Sequence, residues 1–287
     1  MAPRPPPPTL SDAPLAPGLY VVATPIGNLR DVTLRALDVF ANCDLVLAED
    51  TRVTGKLLAT YGIKAKLARY DEHAAERATP AALAALAAGQ VVAIASDAGT
   101  PLVSDPGFRL VREAAAAGHA VYSVPGASAL LAGLAAAGLP TDRFMFVGFP
   151  PAKGAARRTF LQDLAGVRAT LVFFEGGSRI AASLADMAAV LGPREAMVGR
   201  ELTKLHETLY RGSLEALAAD PGLDDPKGEL VVVVGPGQEV PASAADADAA
   251  LSEALTRLKP AQAAAEVAHA LGLPRRDLYR RALELKV

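Results

Sequence analysis

Short apolar runs alternate with stretches of helical periodicity along the first half of the chain. Strands are predicted at residues 19–23, 45–48, 91–95 and 120–124. Helical patterns lie between them, near residues 32–41, after Thr51, and after Asp105, which is expected to cap its helix with Pro106 in the first turn. This alternation is typical of βαβ units. Residues 19–140 are therefore predicted to form an α/β domain with a mostly parallel sheet.

The same alternation resumes after Pro140 and ends in a helical segment. Strands of this second part are predicted at residues 144–149, 170–174, 195–200, 206–210 and 230–234. Residues 141–240 are thus predicted to form a second α/β domain, with a Pro- and Gly-bearing linker at 235–245. Three helical patterns follow, at residues 249–258, 260–271 and 275–286. They predict a small C-terminal helical module over residues 246–287.

Composition and charge fit a cytoplasmic protein with more than one domain. The chain has 287 residues, more than one compact core usually holds. Its formal net charge is -2, so a nucleic-acid partner would need a local basic patch. The single cysteine, Cys43, suits a reducing compartment, and no apolar run reaches the roughly 20 residues of a membrane-spanning helix. The proline-rich start, residues 1–18, is predicted to be a disordered tail without the character of a signal or transit peptide.

The common nucleotide and metal motifs are missing from the sequence. No G-x-G-x-x-G opens the first helix, no G-x-x-x-x-G-K-[ST] occurs, and no H-E-x-x-H supplies a pair of metal ligands. The histidines, His73, His119, His206 and His269, are scattered without the spacing of a metal site. We therefore expect neither a dehydrogenase, nor a P-loop enzyme, nor a metal enzyme.

Three glycine-bearing turns follow predicted strands of the first domain. They comprise residues 24–28, 96–101 and 125–128. Ligands of open parallel sheets bind beyond the carboxyl ends of the strands, and the amides that begin a helix can receive an anionic or polar group. A single turn of this kind is common between a strand and a helix. Three together favour a ligand site at this edge of the sheet.

Seven segments carry a resemblance to a known family. In chain order they are TPIGNLRDVTLRAL, LAEDTRVTG, SDAGTPLVSDPG, VPGASALL, AAGLPTDRFMFVGF, RELTKLHET and KGELVVVV. The chain resembles the 16S ribosomal RNA cytidine 2′-O-methyltransferases, which have the tetrapyrrole methylase fold of the class III methyltransferases. The resemblance runs from about residue 19 to Pro236 and extends to the C-terminal helical module. It implies a homodimer that binds S-adenosylmethionine between its two α/β domains and methylates 16S rRNA in the 30S subunit, with no metal and no membrane.

The resemblance also implies which residues bind the cofactor. Pro25, Ile26 and Gly27 match the first turn, Asp97, Gly99 and Thr100 match the central loop, and Ser128 and Ala129 match the third turn. The sulfonium and ammonium groups of the cofactor need carboxylates or carbonyls nearby, and Asp97 can supply such an acceptor. The tetrapyrrole branch usually has a glycine before this aspartate, whereas Ser96 precedes it here. That departure favours the RNA branch.

Charged residues near strand ends are the candidates for catalysis. They are Glu49, Asp50 and Arg52 in the first domain and Lys204 and Glu229 in the second. A ribose hydroxyl must lose its proton as it attacks a methyl group, so the site needs a proton acceptor. We favour Asp50, because Arg52 can hold a carboxylate or an RNA phosphate. The alternative is that Asp50 caps the next helix and the second-domain charges are solvated strand ends.

The last predicted helix is rich in basic residues. Arg275, Arg276, Arg280, Arg281 and Lys286 accompany an apolar side. They predict contacts with phosphate, although such a face can also be merely solvated. Two other functions share parts of this pattern. A tetrapyrrole C-methyltransferase of the precorrin or uroporphyrinogen type would need no basic helices, and a non-catalytic RNA-binding protein would need no cofactor.

Overall fold

The structure is a computed structural model that describes residues 9–237 and 244–285. The chain divides after Gly237 into two compact units. The first unit contains both α/β domains, and the second contains the C-terminal helices. The turns at the carboxyl ends of the first sheet therefore belong to the first unit.

The first domain is built on a five-stranded parallel sheet. Its strands are β1 (Gly18–Val22), β2 (Leu45–Ala48), β3 (Leu67–Arg69), β4 (Val91–Ala95) and β5 (Val121–Val124), in the order β3-β2-β4-β1-β5. All neighbouring pairs run parallel, which confirms the predicted sheet. The sequence does not predict β3, because three partly exposed residues carry too little apolar pattern.

Helices cover both faces of this sheet. They are α1 (Leu34–Asn42), α2 (Thr51–Thr60), α3 (Ala75–Ala87), α4 (Phe108–Ala116) and α5 (Ala129–Ala137). Val22 of β1 packs with Phe40 of α1 on one face, while Leu19 packs with Leu110 of α4 on the other. Because successive side chains of a strand point to opposite faces, β1 is buried along its whole length.

Helix α4 begins later than the sequence predicts. Its first residue is Phe108, and its N-cap is Gly107, with a φ of 127° and no side-chain hydrogen bond. The prediction that Asp105 caps this helix is therefore wrong. The reason is the backbone before the helix, where Leu102 and Ser104 have positive φ, of 76° and 65°, so that the chain turns repeatedly before the helix starts.

The second domain has a five-stranded mixed sheet. Its strands are β6 (Phe144–Gly148), β7 (Thr170–Gly176), β8 (Glu195–Arg200), β9 (Thr208–Ser213) and β10 (Glu229–Val234), in the order β6-β7-β10-β8-β9. Strands β6 and β7 are parallel, and the other three neighbouring pairs are antiparallel. Its helices are α6 (Gly154–Leu164), α7 (Gly177–Leu191) and α8 (Leu214–Ala218). On one face of the sheet, Phe173 of β7 and Val232 of β10 pack with Ile180 of α7.

The other face of the second sheet packs against α5, a helix that precedes this domain in the chain. Leu134 of α5 packs with Val172 and Val233. The approach is close at Gly133, where an added β-carbon would lie 2.5 Å from Cγ1 of Val231. The two α/β domains therefore share one core layer and form a single compact unit.

The described part of the segment before β1 is held against the first domain. Leu10 and Leu15 are partly buried against the core on the α1 side of the sheet. The amide of Ser11 donates to Oδ1 of Asp38 at 2.7 Å. This differs from the predicted disorder, because the two leucines find apolar partners. Residues 1–8 lie outside the described residues.

The second unit is a module of three helices. They are α9 (Ala244–Leu255), α10 (Pro260–Leu271) and α11 (Arg275–Leu285). Leu251, Val267 and Leu278 form its core. The three predicted helices are present, although α9 begins before the predicted residue 249. The predicted linker, residues 235–245, lies largely outside the described residues.

Candidate active site

Three loops at the carboxyl edge of the first sheet are tied to one another. The amide of Thr24 donates to the carbonyl of Gly99 at 2.8 Å, and the amide of Gly99 donates back to the carbonyl of Thr24 at 3.0 Å. The hydroxyl of Thr100 donates to the carbonyl of Ala127 at 3.1 Å. The turns after β1, β4 and β5 therefore form one continuous surface, because these strands are neighbours in the sheet.

An interdomain cleft of about 860 Å³ lies between this surface and the second domain. Its first-domain wall includes Ile26, Gly99, Thr100, Ser128 and Ala129, five of the predicted cofactor residues. Its second-domain wall includes Phe174, Leu202, Lys204, Glu229 and Val231.

A side cleft of about 1060 Å³ lies next to the interdomain cleft. It is lined by Pro25, Gly27 and Asp97, the other three predicted cofactor residues. Ile26 and Lys204 line both cavities. The structure thus divides the predicted cofactor residues between two neighbouring cavities.

Several carboxylates collect at the β2 and β4 end of the same sheet edge. The acidic depression is the cavity lined by Glu49, Asp71, Glu72, His73, Ser104, Asp105 and Pro106. The amide of Asp97 donates to Oε2 of Glu49 at 3.3 Å, and the amide of Asp50 donates to Oδ1 of Asp97 at 2.9 Å. These hydrogen bonds connect the loops after β2 and β4 and bring their carboxylates together.

The side chain of Asp50 caps the N-terminus of α2. It is the N-cap of α2, accepts from the amide of Arg52 at 2.8 Å, and forms an ion pair with the Arg52 guanidinium at 2.5 Å. These contacts with Arg52 hold the pKa of Asp50 well below its ordinary value. Neither residue lines the three cavities described above. A carboxylate with so low a pKa is a weak proton acceptor.

Burial has the opposite effect on three nearby carboxyl groups. It raises the pKa of Glu49, Asp97 and Asp105. At Asp105 the negative charge of Glu49 adds to the effect of burial, and the pKa rises to about 6. Asp105 is a functional candidate that the sequence pattern assigns to a helix cap. The sequence does contain one indication of its role, because Asp105 lies in the same strand-to-helix connection as Gly99 and Thr100.

The predicted catalytic residues of the second domain reach the interdomain cleft. Lys204 is paired with Glu201, with Nζ and Oε1 2.9 Å apart. Glu201 and Thr203 have positive φ, of 52° and 67°, and strained backbone of this kind clusters at functional sites. Glu229 is exposed at the start of β10 and lines the cleft. Glu49, in contrast, lines the acidic depression.

The described residues show neither a metal site nor a membrane span. No group of histidine, cysteine and acidic side chains among them is arranged to hold a metal ion. None of the described helices combines the length and the apolar character that crossing a membrane requires.

The fold and the interdomain cleft define a class of protein, the tetrapyrrole methylases. The family model described as Tetrapyrrole (Corrin/Porphyrin) Methylases matches residues 18–218. The solved structure of uroporphyrin-III-C-methyltransferase from Thermus thermophilus aligns with a TM-score of 0.54 and 25% identity over 76% of this chain and 93% of its own. The methyltransferase CobJ aligns with a TM-score of 0.58 and 21% identity over 76% and 94%.

Longer similarities identify the branch of this class. A model described as the RsmI C-terminal HTH domain matches residues 241–286. The ribosomal RNA small subunit methyltransferase I of Erythrobacter litoralis is 53% identical over 96% of this chain and 98% of its own. That of Mesorhizobium japonicum is 51% identical over 95% and 94%. The chain belongs to the ribosomal RNA small subunit methyltransferase I family, a family of S-adenosylmethionine-dependent methyltransferases, which confirms the resemblance seen in the sequence.

Proposed function

We propose that the protein transfers the methyl group of S-adenosylmethionine to the 2′-hydroxyl of a cytidine in the 16S rRNA of the 30S subunit. The observation that carries this proposal is the interdomain cleft, which gathers five predicted cofactor residues opposite the second domain. The relatives' names supply the acceptor class, small-subunit ribosomal RNA. The cytidine and the ribose oxygen follow from the motifs shared with the cytidine 2′-O-methyltransferases.

The side chains of the interdomain cleft fit this cofactor. Its positive sulfonium and ammonium groups need negative or carbonyl oxygens nearby, and the carboxylate of Glu229 lines the cleft. Its adenine needs an apolar slot, and Leu202 and Val231 supply apolar surface from the second domain. The residues that would hold it from the first domain are Ile26, Gly99, Thr100, Ser128 and Ala129. When bound, the cofactor supplies an electrophilic methyl group.

The residues predicted as proton acceptors differ in what they contact. Lys204 is paired with Glu201, and Asp50 is paired with Arg52. An ion pair favours the charged forms of both partners, and a protonated lysine has no lone pair with which to accept a proton. The proposed role of the Asp50–Arg52 pair is therefore to fix the start of α2. The carboxylates without a cationic partner are the better candidates for the proton acceptor, and Glu229 of this kind lines the interdomain cleft.

We propose that the C-terminal module contacts RNA phosphate through the first turn of α11. Arg275 and Arg276 are exposed there and form no ion pair with any described residue. Arg281 is instead tied to Asp248 at 2.6 Å and to Glu284 at 2.8 Å. Guanidinium groups without a carboxylate partner are the ones that phosphate can recruit.

The family resemblance also supports a homodimer in the cytoplasm, where ribosomal subunits are modified. Exposed apolar side chains at Leu131, Phe144 and Met145 offer surface for a subunit contact. The oligomeric state follows directly from light scattering on the purified protein.

Methyl transfer to 30S subunits tests the proposed activity. Subunits from a strain that lacks the enzyme are incubated with the protein and labelled S-adenosylmethionine, and the methylated nucleotide is mapped. We expect label on the ribose of a cytidine in 16S rRNA. Label found only on a uroporphyrinogen or precorrin acceptor would indicate a tetrapyrrole methylase. No heat of cofactor binding in calorimetry would indicate a non-catalytic RNA-binding protein.

A further inference from the structure

Asp105 joins two cavities of the site. It lines the interdomain cleft together with Gly99 and Ser128. It also lines the acidic depression, whose rim at Glu72 and His73 is exposed. Of the described carboxylates, it is the one that reaches both cavities. Its side chain therefore stands between the proposed cofactor cavity and a path to solvent.

The backbone around Asp105 is held in an unusual conformation. Ser104, immediately before it, has a φ of 65°, and Leu102 has a φ of 76°. Residues other than glycine avoid this region unless the surrounding structure imposes it. Here Leu102 is anchored against the core on the α4 side of the sheet. The turn carries Asp105 to the cleft rather than to the helix N-terminus, where it would make a cap.

Other carboxylates at the sheet edge already have polar partners. They are Asp50 with Arg52, Glu201 with Lys204, and Glu49 and Asp97 with backbone amides. Asp105 forms no ion pair with any described residue, and its polar neighbour Ser96 lowers its pKa by less than burial raises it. Glu229 also lines the interdomain cleft, but it is exposed and does not reach the acidic depression. Asp105 is thus the half-buried carboxylate of the cleft that no cation neutralises.

We propose that Asp105 is the catalytic base that takes the proton from the ribose 2′-hydroxyl. This inference rests on the proposed function, because it needs a hydroxyl as the acceptor of the methyl group. The ribose oxygen forms a bond to the methyl carbon while the bond from that carbon to sulfur breaks and its electron pair stays on sulfur. The hydroxyl proton passes to a carboxylate oxygen of Asp105. It then leaves to water through the acidic depression, which restores the carboxylate.

The charges around Asp105 suit a proton acceptor that works near neutral pH. The groups that face it are Glu49 after β2, Ser96 and Asp97 after β4, and Glu229 of β10, with Asp71, Glu72 and His73 around the acidic depression. Burial, followed by the charge of Glu49, raises the pKa of Asp105 to about 6. A base is most effective when its pKa lies near the working pH. An aspartate at its ordinary pKa of about 3.9 would be a weaker acceptor.

Single-turnover kinetics test this assignment. Asp105→Asn is compared with the rival Glu229→Gln and with Asp142→Asn, an exposed control on the loop before β6. Each protein is assayed on 30S subunits at saturating cofactor over about pH 5 to 9. The wild-type rate is expected to rise with pH through about 6 and then level off. In Asp105→Asn the plateau rate should fall roughly 10²–10⁴-fold and the inflection should disappear.

Two measurements without turnover accompany the kinetics. Calorimetry gives the cofactor affinity of each variant in the absence of RNA, and Asp105→Asn is expected to bind nearly as well as the wild type. An NMR titration of the free protein with ¹³C-labelled aspartate should show a carboxyl group that titrates near 6 and is missing from Asp105→Asn. Asp105→Glu, which keeps a carboxylate, should recover part of the rate.

Several outcomes would overturn the assignment. An Asp105→Asn enzyme with a normal rate and pH profile shows that the carboxylate is not the base. A loss confined to cofactor affinity shows that it binds the cofactor instead. Loss of the inflection in Glu229→Gln alone assigns the base to Glu229. If the wild type transfers no methyl group to RNA, the proposed function fails first and the assignment falls with it, whereas an active wild type with an equally active Asp105→Asn variant defeats the assignment alone.

Discussion

The side chain of Lys204 in the second domain lies on Gly27 in the first, and no β-carbon fits between them. A β-carbon on Gly27 would lie 2.8 Å from Cε and 3.1 Å from Cδ of Lys204. The ion pair with Glu201 holds the ammonium group at 2.9 Å and so limits the freedom of the lysine. The contact bridges the two α/β domains beside the interdomain cleft. Even the methyl group of an alanine at position 27 would therefore displace the Lys204 side chain.

Gly27→Ala is expected to weaken cofactor binding, because the methyl group displaces Lys204 from the cleft wall and because alanine strains a backbone with a φ of 150°. Calorimetry with S-adenosylmethionine measures the change. Gly89→Ala is the control for an added methyl group at a positive φ (75°, against 150° at Gly27), since nothing lies within 4 Å of its added β-carbon. Adding Lys204→Ala to Gly27→Ala should recover the part of the loss that comes from the contact with Lys204. Equal affinities in the two single glycine variants would contradict the prediction.

Two glycines inside helices form a matched pair for stability. A β-carbon on Gly133 of α5 would lie 2.5 Å from Val231, whereas one on Gly55 of α2 would meet its nearest atom, in Leu67, at 3.5 Å. Gly133→Ala should lower the free energy of unfolding by about 1–3 kcal/mol through overpacking. Gly55→Ala should raise it by up to about 1 kcal/mol through helix propensity. Urea denaturation measures both, and changes of the same sign would argue against a tight contact between α5 and β10.

The raised pKa of Asp105 predicts a stability change of definite sign. In an unfolded chain the pKa of aspartate is about 3.9, whereas in the folded protein that of Asp105 is about 6. The folded state therefore binds this proton more tightly, and its stability falls as the pH rises from about 4 to about 6. Asp105→Asn cannot ionise, so it should be more stable than the wild type near pH 7 and lose this advantage near pH 4. Denaturant unfolding at the two pH values checks the prediction, which an equal stability near pH 7 would refute.

The arginines at the start of α11 should carry the salt dependence of subunit binding. The double variant Arg275→Ala/Arg276→Ala is expected to weaken 30S binding and to reduce the salt slope by about 1 for each phosphate that it no longer neutralises. Arg280→Ala is the matched control on the same helix, because Arg280 is already paired with Asp277 at 2.5 Å. Filter binding over a range of salt concentrations measures the slopes. Identical slopes for the double variant and the wild type would remove this helix turn from the RNA interface.

Strands β2 and β4 could be predicted to the residue, because parallel strands covered on both faces are continuous apolar runs. Asp105 could not be placed in the same way. An aspartate followed by proline before a helical pattern is normally an N-cap, and nothing local reveals the positive φ of Leu102 and Ser104. The sequence pattern therefore predicts the helix start too early and assigns a residue of the cleft to a cap.

In the candidate site, too, some features follow from the local sequence and others depend on tertiary contacts. The turns that hold Gly99 and Ser128 could be found from glycines after apolar runs, because chain order fixes which loops reach the carboxyl edge. The choice of Asp50 as the base could not be checked from the sequence, since a cap and a base use the same residue type. The low pKa of Asp50 depends on where the Arg52 guanidinium lies, and the raised pKa of Asp105 depends on burial by residues distant in the chain.

The packing of helix α5 on the second domain limits how the two halves of this chain can recombine during evolution. By chain order it belongs to the half before Pro140, but Leu134 packs on the sheet of the other half, against Val172. If recombination between two related genes exchanged the halves at that boundary, α5 would come from one parent and the second sheet from the other. The two surfaces would then not have co-evolved. Such recombinants keep this interface only if position 133 stays as small as glycine or if the residue at position 231 shrinks to compensate. The packing of α5 on the second sheet therefore favours inheritance of the two domains as one unit.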